Sequence, residues 1–568
     1  MKKVLVLIIV LANTLKAQQL QWAFDLGGYW HSYAYGVTHD NLDNVIVTGS
    51  MGSNSCDFDP GPATYTLTNQ GIYDIFVAKY DKNEVLQWAF RIGGGNNSSC
   101  SGNSVVCDAN GNVIITGYFQ DTTDFDPGPG VHNLFPQSAF NDIFVAKYDA
   151  GGNFVWALNM GGNGTQTVYD SNVGNAVAVD ASGNVLVTGF FCGTADFNPG
   201  SATANLTSPN GIPNAFVARY TAGGAYAWAF QIGGTYSIDK GNSICTDNSG
   251  DIVVSGNFGG TADFDPGSGT HNLTSITCGS DIFLAKYTPT GAYVWANHFG
   301  SAGSCVGNAA LAHVTTASGD IVVTGTFGGQ VDFNPGSAIN SLTSNATYDI
   351  FLAKYNSSGA YQWAFNAGTN NLAQNSGTDV DLDGNGNIFL TGLYSGVVDF
   401  DPGPGVDTLP ANAGGFMAEY DANGNHVSAF CVYWSWGSYV SVNGSNDYYL
   451  AGAYDATSDF DPGISTYTLT PIGNEDAFVA KYSPVLNSVR EQNTDNPISI
   501  LPNPASSQIS IGGLKDNAKT YVIENTQGQM VLESATSEIN IESLANGVYF
   551  VVVRINDQVY KQKLIIAR

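Results

Sequence analysis

Apolar and polar positions alternate in short bursts along most of this chain. In one stretch the run "GNSVVCD" (102–108) meets the turn "ANGN" (109–112) and is followed by "VIITGYF" (113–119). A loop containing Asp-Phe-Asp-Pro-Gly (124–128) leads to "DIFVAKYD" (142–149), and a glycine turn leads to "NFVWALNMGG" (153–162). The runs are short, rich in Val, Ile, Phe, Tyr and Trp, and bounded by Gly, Asn and Asp. That pattern predicts strands and tight turns rather than helices. The same order recurs with Asp-Phe-Asx cores starting at Asp57, Asp124, Asp196, Asp263, Asp332, Asp399 and Asp459, spaced by 67, 72, 67, 69, 67 and 60 residues.

A fixed period of four strands predicts a four-stranded antiparallel meander per unit, and seven such units predict a seven-bladed β-propeller. The chain opens with a fourth-strand sequence, "LQWAFDLGG" (20–28), while the last unit stops at its third strand, "DAFVAKY" (476–482). The N-terminal strand is therefore expected to complete the last blade and close the ring, which removes an open sheet edge. The fourth strands carry Trp22, Trp88, Trp156, Trp228, Trp295 and Trp363, with Ser428 in the sixth unit. These are read as anchors wedged between neighbouring blades rather than as sugar platforms. The third strands carry Lys79, Lys147, Arg219, Lys286, Lys354 and Lys481, with Glu419 in the sixth unit. A cation repeated six times is read as a structural partner for a nearby Asp, not as a catalytic group.

The ends of the chain are different material. Met-Lys-Lys, an apolar run from Val4 to Ala12 and a small residue at Ala17 read as a signal peptide over 1–17, which implies export to the periplasm. The propeller is assigned to 18–485, a polar linker to 486–496, and a small immunoglobulin-like β-sandwich to 497–568. No segment is apolar enough for a transmembrane helix. The net charge of −29 is concentrated in residues 18–485, which hold 9 Lys and Arg against 40 Asp and Glu. Such a body repels nucleic acid, which is excluded as a partner.

Two resemblances follow from these motifs. The units containing "GNVIITG", "DFDPG", "DIFVAKYD" and the "WAF…GG" strand resemble the β-propeller repeats of exported bacterial proteins, over roughly 20–482. Such repeats fix a scaffold and not an activity. The tail resembles the type A C-terminal sorting domain of the type IX secretion system through Pro502-Asn503-Pro504, a turn at Gly528, Leu544, Gly547 with Tyr549, and the basic residues Lys561 and Lys563. This resemblance implies the type IX machinery as partner, and a location outside the cell or on its outer surface.

Candidate chemistry is sparse. In extended chain, residues two apart share a side. Asp57 and Asp59, Asp124 and Asp126, Asp263 and Asp265, Asp399 and Asp401, and Asp459 and Asp461 are thus paired carboxylates; Asp196 and Asp332 have Asn198 and Asn334 as mates. Pro-Gly fits the centre of a type II turn capped by the third residue. The unvarying first Asp is expected to meet either a third-strand lysine or a bound calcium ion, the lysine being favoured; no cofactor is otherwise required. Propeller topology puts Cys56 near Cys100, and Cys278 near Cys305, as expected disulfides. The irregular connections Asn159–Asn172 and Phe430–Val440 break the repeat, and Tyr433, Trp434, Trp436 and Tyr439 in the second are candidates for stacking on a ligand. No G-x-S-x-G, HExxH or Walker motif is present, and nothing singles out a catalytic pair among the 40 acids of residues 18–485. The expected role is a binding or adhesion scaffold for a glycan or protein ligand, with a surface enzyme acting on polysaccharide at the channel mouth as the alternative.

Overall fold

The computed structural model describes residues 18–484 and 499–566, except 29, 53–54, 96, 138–140, 163–170, 235–237, 277–278, 302–306, 369–373, 412–413, 434, 464, 502–504, 513–520, 526–529 and 556–557. The chain forms two compact units, Met1–Val485 and Leu486–Arg568.

In the first unit, the described residues form seven four-stranded antiparallel sheets in the order first, second, third, fourth strand; six are each built from one repeat. The first sheet comprises Ser32–His39, Val45–Met51, Asp74–Tyr80 and Leu86–Ile92. The seventh comprises Ser435–Val442, Tyr448–Tyr454 and Asp476–Pro484, and its fourth strand is Gln18–Leu26 from the start of the chain. The register runs from Gln18 opposite Pro484 to Leu26 opposite Ala477, as the offset of the repeats predicts.

Burial follows position within each sheet. Third strands such as Asp74–Tyr80 are buried at every residue, because they have strands on both sides and sheets on both faces. Fourth strands such as Leu86–Ile92 are less fully covered: Gln87 is exposed, Leu86, Trp88 and Arg91 are half-buried, and Ala89, Phe90 and Ile92 are buried. The apolar clusters lie between consecutive sheets. One contains Val77 and Ile92 of the first sheet with Val113, Phe119 and Tyr148 of the second. Another joins Trp22, Phe24, Tyr449 and Val479 of the seventh sheet to Val45 and Phe76 of the first. First strands pack against one another in chain order, and Ser435–Val442 packs against Ser32–His39. These repeated four-stranded sheets are consistent with a β-propeller.

Second-to-third and fourth-to-first connections emerge at the same end. The residue before a third strand bridges a residue that precedes the next first strand: Tyr73 with Ser99, Asn141 with Ser171, Tyr348 with Gln374, and Glu475 with His31. Each second-to-third connection also carries a small two-stranded hairpin, such as Cys56–Asp57 with Thr66–Leu67, where the sequence pattern predicts a loop. The described residues include no α-helix, only a 3-10 turn at Pro209–Gly211.

The second unit has a three-stranded sheet (Ser499–Leu501, Gln508–Gly512, Glu538–Asn540) and a four-stranded one (Met530–Ser534, Tyr521–Glu524, Gly547–Ile555, Gln558–Ile566). Ile500, Ile509 and Ile539 from one and Ile523, Val551, Val553 and Leu564 from the other share a single core.

Candidate functional site

The repeated acidic motif is built from hydrogen bonds to its own backbone. Asp57 Oδ1 accepts the N–H groups of Asp59 (3.1 Å) and Tyr65 (2.8 Å). The same two bonds recur at Asp124, Asp196, Asp263, Asp332, Asp399 and Asp459. Asp59, Asp126, Asp265, Asp401 and Asp461 each accept the N–H of the motif glycine, and Asn198 and Asn334 do so with an amide oxygen. The first Asp therefore closes an eight-residue loop, and the third caps the Pro-Gly turn. The phenylalanine between them is buried, and its carbonyl accepts the hydroxyl of a tyrosine at the seventh position of the third strand: Tyr80, Tyr148, Tyr220, Tyr287, Tyr355, Tyr420 and Tyr482. Sequence reasoning missed this tyrosine, although its invariance across the units was visible.

The expected lysine partner for the first Asp is corrected by the structure. The third-strand cations reach a different acid, in the first-to-second turn: Lys79 to Asp40 (2.8 Å), Lys147 to Asp108 (2.9 Å), Arg219 to Asp180 (2.5 Å), Lys286 to Asp247 (2.7 Å), Lys354 to Asp320 (3.5 Å) and Lys481 to Asp447 (2.9 Å). In the fifth and seventh units the turn begins with Thr316 or Asn443 instead of Asp, and the acid stands four residues later, at Asp320 or Asp447. Burial pushes the Asp40 and Asp108 carboxyls up, but the lysine and the turn amides more than reverse this and leave both below the usual carboxylate range. Among the described residues, no group of three or more His, Cys, Asp or Glu is placed to hold a metal ion.

The tryptophans act between sheets. Trp88, Trp156 and Trp295 each donate their indole N–H to a carbonyl in the next sheet's third-to-fourth turn: Ala150, Ala222 and Ser357. Their rings lie against the turn glycines Gly152, Gly224 and Gly359, which have φ near +80° and leave no room for a Cβ. Trp22 does the same across the seventh and first sheets, donating to Lys82 O at 3.2 Å.

Other expected residues fare differently. Cys56 and Cys100 are not bridged. Their sulfurs sit in separate apolar clusters, Cys56 beside Ser32 Oγ (3.5 Å) and Cys100 beside Gln120 O (3.9 Å). Burial pushes the Cys100 thiol up to about 11. Cys278, Cys305, Trp434, Pro502, Asn503, Pro504 and Gly528 lie outside the described residues, as do the side chains of Tyr433, Trp436 and Lys561. Tyr439 is not an open platform: it packs against the cluster shared by the seventh and first sheets. In the tail, Gly547 opens a strand, Tyr549 donates to Ala545 O (3.0 Å), and Lys563 is exposed.

The departures from the repeat converge where the seventh sheet meets the first. His31, Tyr33 and Tyr35 form a ladder of parallel rings: centroids 6.1 Å apart at 2° between the first pair, and 5.7 Å at 13° between the second. Trp30 stands edge-on to His31 (6.4 Å, 68°) and is 57% exposed. Glu475, from the seventh sheet, accepts both His31 Nδ1 (2.8 Å) and the Tyr33 hydroxyl on the same oxygen, Oε2. Burial, and then this carboxylate, push the Tyr33 phenol up. In the second unit the ladder positions hold Ser99, Ser101 and Asn103; Asn103 accepts the Ser101 hydroxyl (2.8 Å) and donates to Gly174 O (3.0 Å) of the third. Nearby, Asp379 and Asp381 project from the sixth first strand and accept the backbone N–H groups of Val440 (2.9 Å) and Val442 (2.8 Å) from the seventh. Enclosure by protein raises their carboxyls to about 7 and about 6.

With this geometry in hand, the chain can be set beside known proteins. Residues 499–567 match the secretion system C-terminal sorting domain family. The protein is secreted through this domain, which implies the type IX secretion machinery. An alignment 330 positions long, covering 49% of the chain, is 28% identical to an uncharacterized WD repeat-containing protein of Acanthamoeba polyphaga mimivirus, and spans only 23% of that protein's length. Among solved structures, Sqt1 of Chaetomium thermophilum aligns over 82% of this chain and 99% of its own, at 10% identity and a TM-score of 0.33. The extracellular domain of a putative hybrid two component system from B. thetaiotaomicron aligns over 96% and 100%, at 8% identity and a TM-score of 0.20.

Proposed function

We propose that residues 18–485 form a closed seven-bladed β-propeller that acts outside the cell as a rigid binding scaffold. In this reading residues 1–17 direct export to the periplasm, and the sorting domain delivers the propeller through the outer membrane to the surface or the medium. One observation carries the binding role: a cluster of repeat-breaking side chains, His31, Tyr33, Tyr35 and Glu475, sits at one end of the sheets where the seventh meets the first, while the repeat motifs are used up in backbone hydrogen bonds. A scaffold needs a ligand surface grafted onto one part of a regular frame, and this junction has that character. The test is a glycan and protein array probed with the full secreted chain, followed by product analysis on every hit. Binding without turnover is the expected outcome; turnover of a bound polysaccharide would make the protein an enzyme instead.

A further inference from the structure

Resting on that scaffold reading, we infer that the junction of the seventh and first sheets binds a neutral saccharide ring, with Trp30 as stacking surface and Glu475, His31 and Tyr33 as the polar edge. A pyranose offers an apolar C–H face and a rim of hydroxyls that both donate and accept. It needs one exposed aromatic surface and a few fixed polar groups beside it. Trp30 supplies the surface, being 57% exposed. Glu475 supplies the acceptor: His31 and Tyr33 both use Oε2, so among the described residues Oε1 is left for a sugar hydroxyl. Those two donors also fix the carboxylate, which lowers the cost of ordering it on binding.

The shape of the aromatic group selects the ligand class. A cage for an organic ammonium needs ring faces converging on one point. Here His31, Tyr33 and Tyr35 lie parallel and cover one another's faces, so they present an edge and suit a flat ring rather than a sphere. Charge selects further. No Lys or Arg belongs to the group, and residues 18–485 are strongly acidic, so uronate-containing glycans are repelled. Nor does the fold require these residues, since the second unit makes the same connection with Ser99, Ser101 and Asn103.

The experiment titrates the full secreted chain with neutral glucan, mannan and galactan oligosaccharides, and with alginate and polygalacturonate oligosaccharides. At least one neutral probe is expected to bind. Trp30→Ala and Glu475→Gln are each expected to weaken it about tenfold. Glu475 joins two sheets and its replacement could loosen the fold, so Trp30→Ala is the primary variant, with a Tm within about 2 °C of wild type. Neutral probes that bind both variants as tightly as wild type would overturn the assignment, as would binding of acidic probes alone or of none. Those failures leave the scaffold reading standing wherever the protein array records a ligand, whereas turnover removes the scaffold reading even if Trp30 proves essential.

Discussion

The seam between the fourth and fifth sheets and the seam between the sixth and seventh do the same mechanical task with different chemistry. At the first, Lys286 is held by Asp247 (2.7 Å) and Asp251 (3.2 Å), and Trp295 reaches across to the carbonyl of Ser357. At the second, Glu419 stands in the lysine's place and accepts the Gln18 amide at 2.6 Å, Ser428 stands in the tryptophan's, and Asp379 and Asp381 bind neighbouring backbone amides. Repeats thus tolerate a complete exchange of polar partners at a seam. The exchanges cluster beside the place where the two ends of the array pair.

Breaking the regular seam should have the largest effect. Lys286→Met leaves two carboxylates without their cation, one of them almost fully buried, and should cost about 3–5 kcal/mol in a denaturant titration. Adding Asp247→Leu should recover part of the loss. A single-variant cost below about 1 kcal/mol would mean that the ion pair contributes no more than a surface one.

The irregular seam should respond to pH instead. The folded carboxyls of Asp379 and Asp381 titrate near 7 and 6, above the unfolded value of about 3.9. The folded chain therefore holds protons that the unfolded chain releases. Their contribution is fully present below pH 4 and is lost as pH rises from about 4 to about 7. Asp379→Asn keeps an acceptor for Val440 and removes the ionisation, so its Tm should gain on wild type as pH rises from 5 to 8. Parallel Tm curves would refute the shift.

Within the repeated loop the two acids should separate cleanly. Asp124→Ala strips acceptors from two backbone amides and should cost about 1–2 kcal/mol. Asp126→Asn should be close to neutral, because Asn198 and Asn334 already make that cap. A chelator should leave the melting temperature unchanged, and a fall on chelation would restore calcium to the motif.

The smallest effect concerns the turn that receives Trp22. Its counterparts use Gly152, Gly224, Gly291, Gly359 and Gly424 in the left-handed region, but here Glu84 adopts φ +63°. Glu84→Gly should stabilise by up to about 1 kcal/mol in thermal melts, offset by the added freedom of the unfolded chain.

The strand order, the displaced N-terminal strand and the tryptophan anchors were legible in the sequence because they depend on local pattern and on counting units. The partners of the repeated charges were not. The first Asp and the third-strand lysine lie on different ends of a sheet, and nothing in their spacing reveals that the lysine reaches the opposite turn. The shift of the acid from the position of Asp108 to that of Asp320 was the available clue, since a moving acid opposite a fixed cation marks a pair. The aromatic ladder escaped because His31, Tyr33 and Tyr35 look like ordinary strand residues, and their counterpart Glu475 is more than four hundred residues away.

That separation carries a further consequence. Gln18–Leu26 is synthesised long before its partner strand Asp476–Pro484, with Gly28 and Asp476 lying 448 positions apart. Until then the first strand has no sheet to join, and the entropy of closing so long a loop opposes any early attempt. Completion of the fold therefore doubles as a length check. A chain cut short before residue 476 lacks the third strand of the last sheet, which is the partner of Gln18–Leu26, and also the sorting domain that follows it, so an unfinished product is at once unpaired at its seam and without its address.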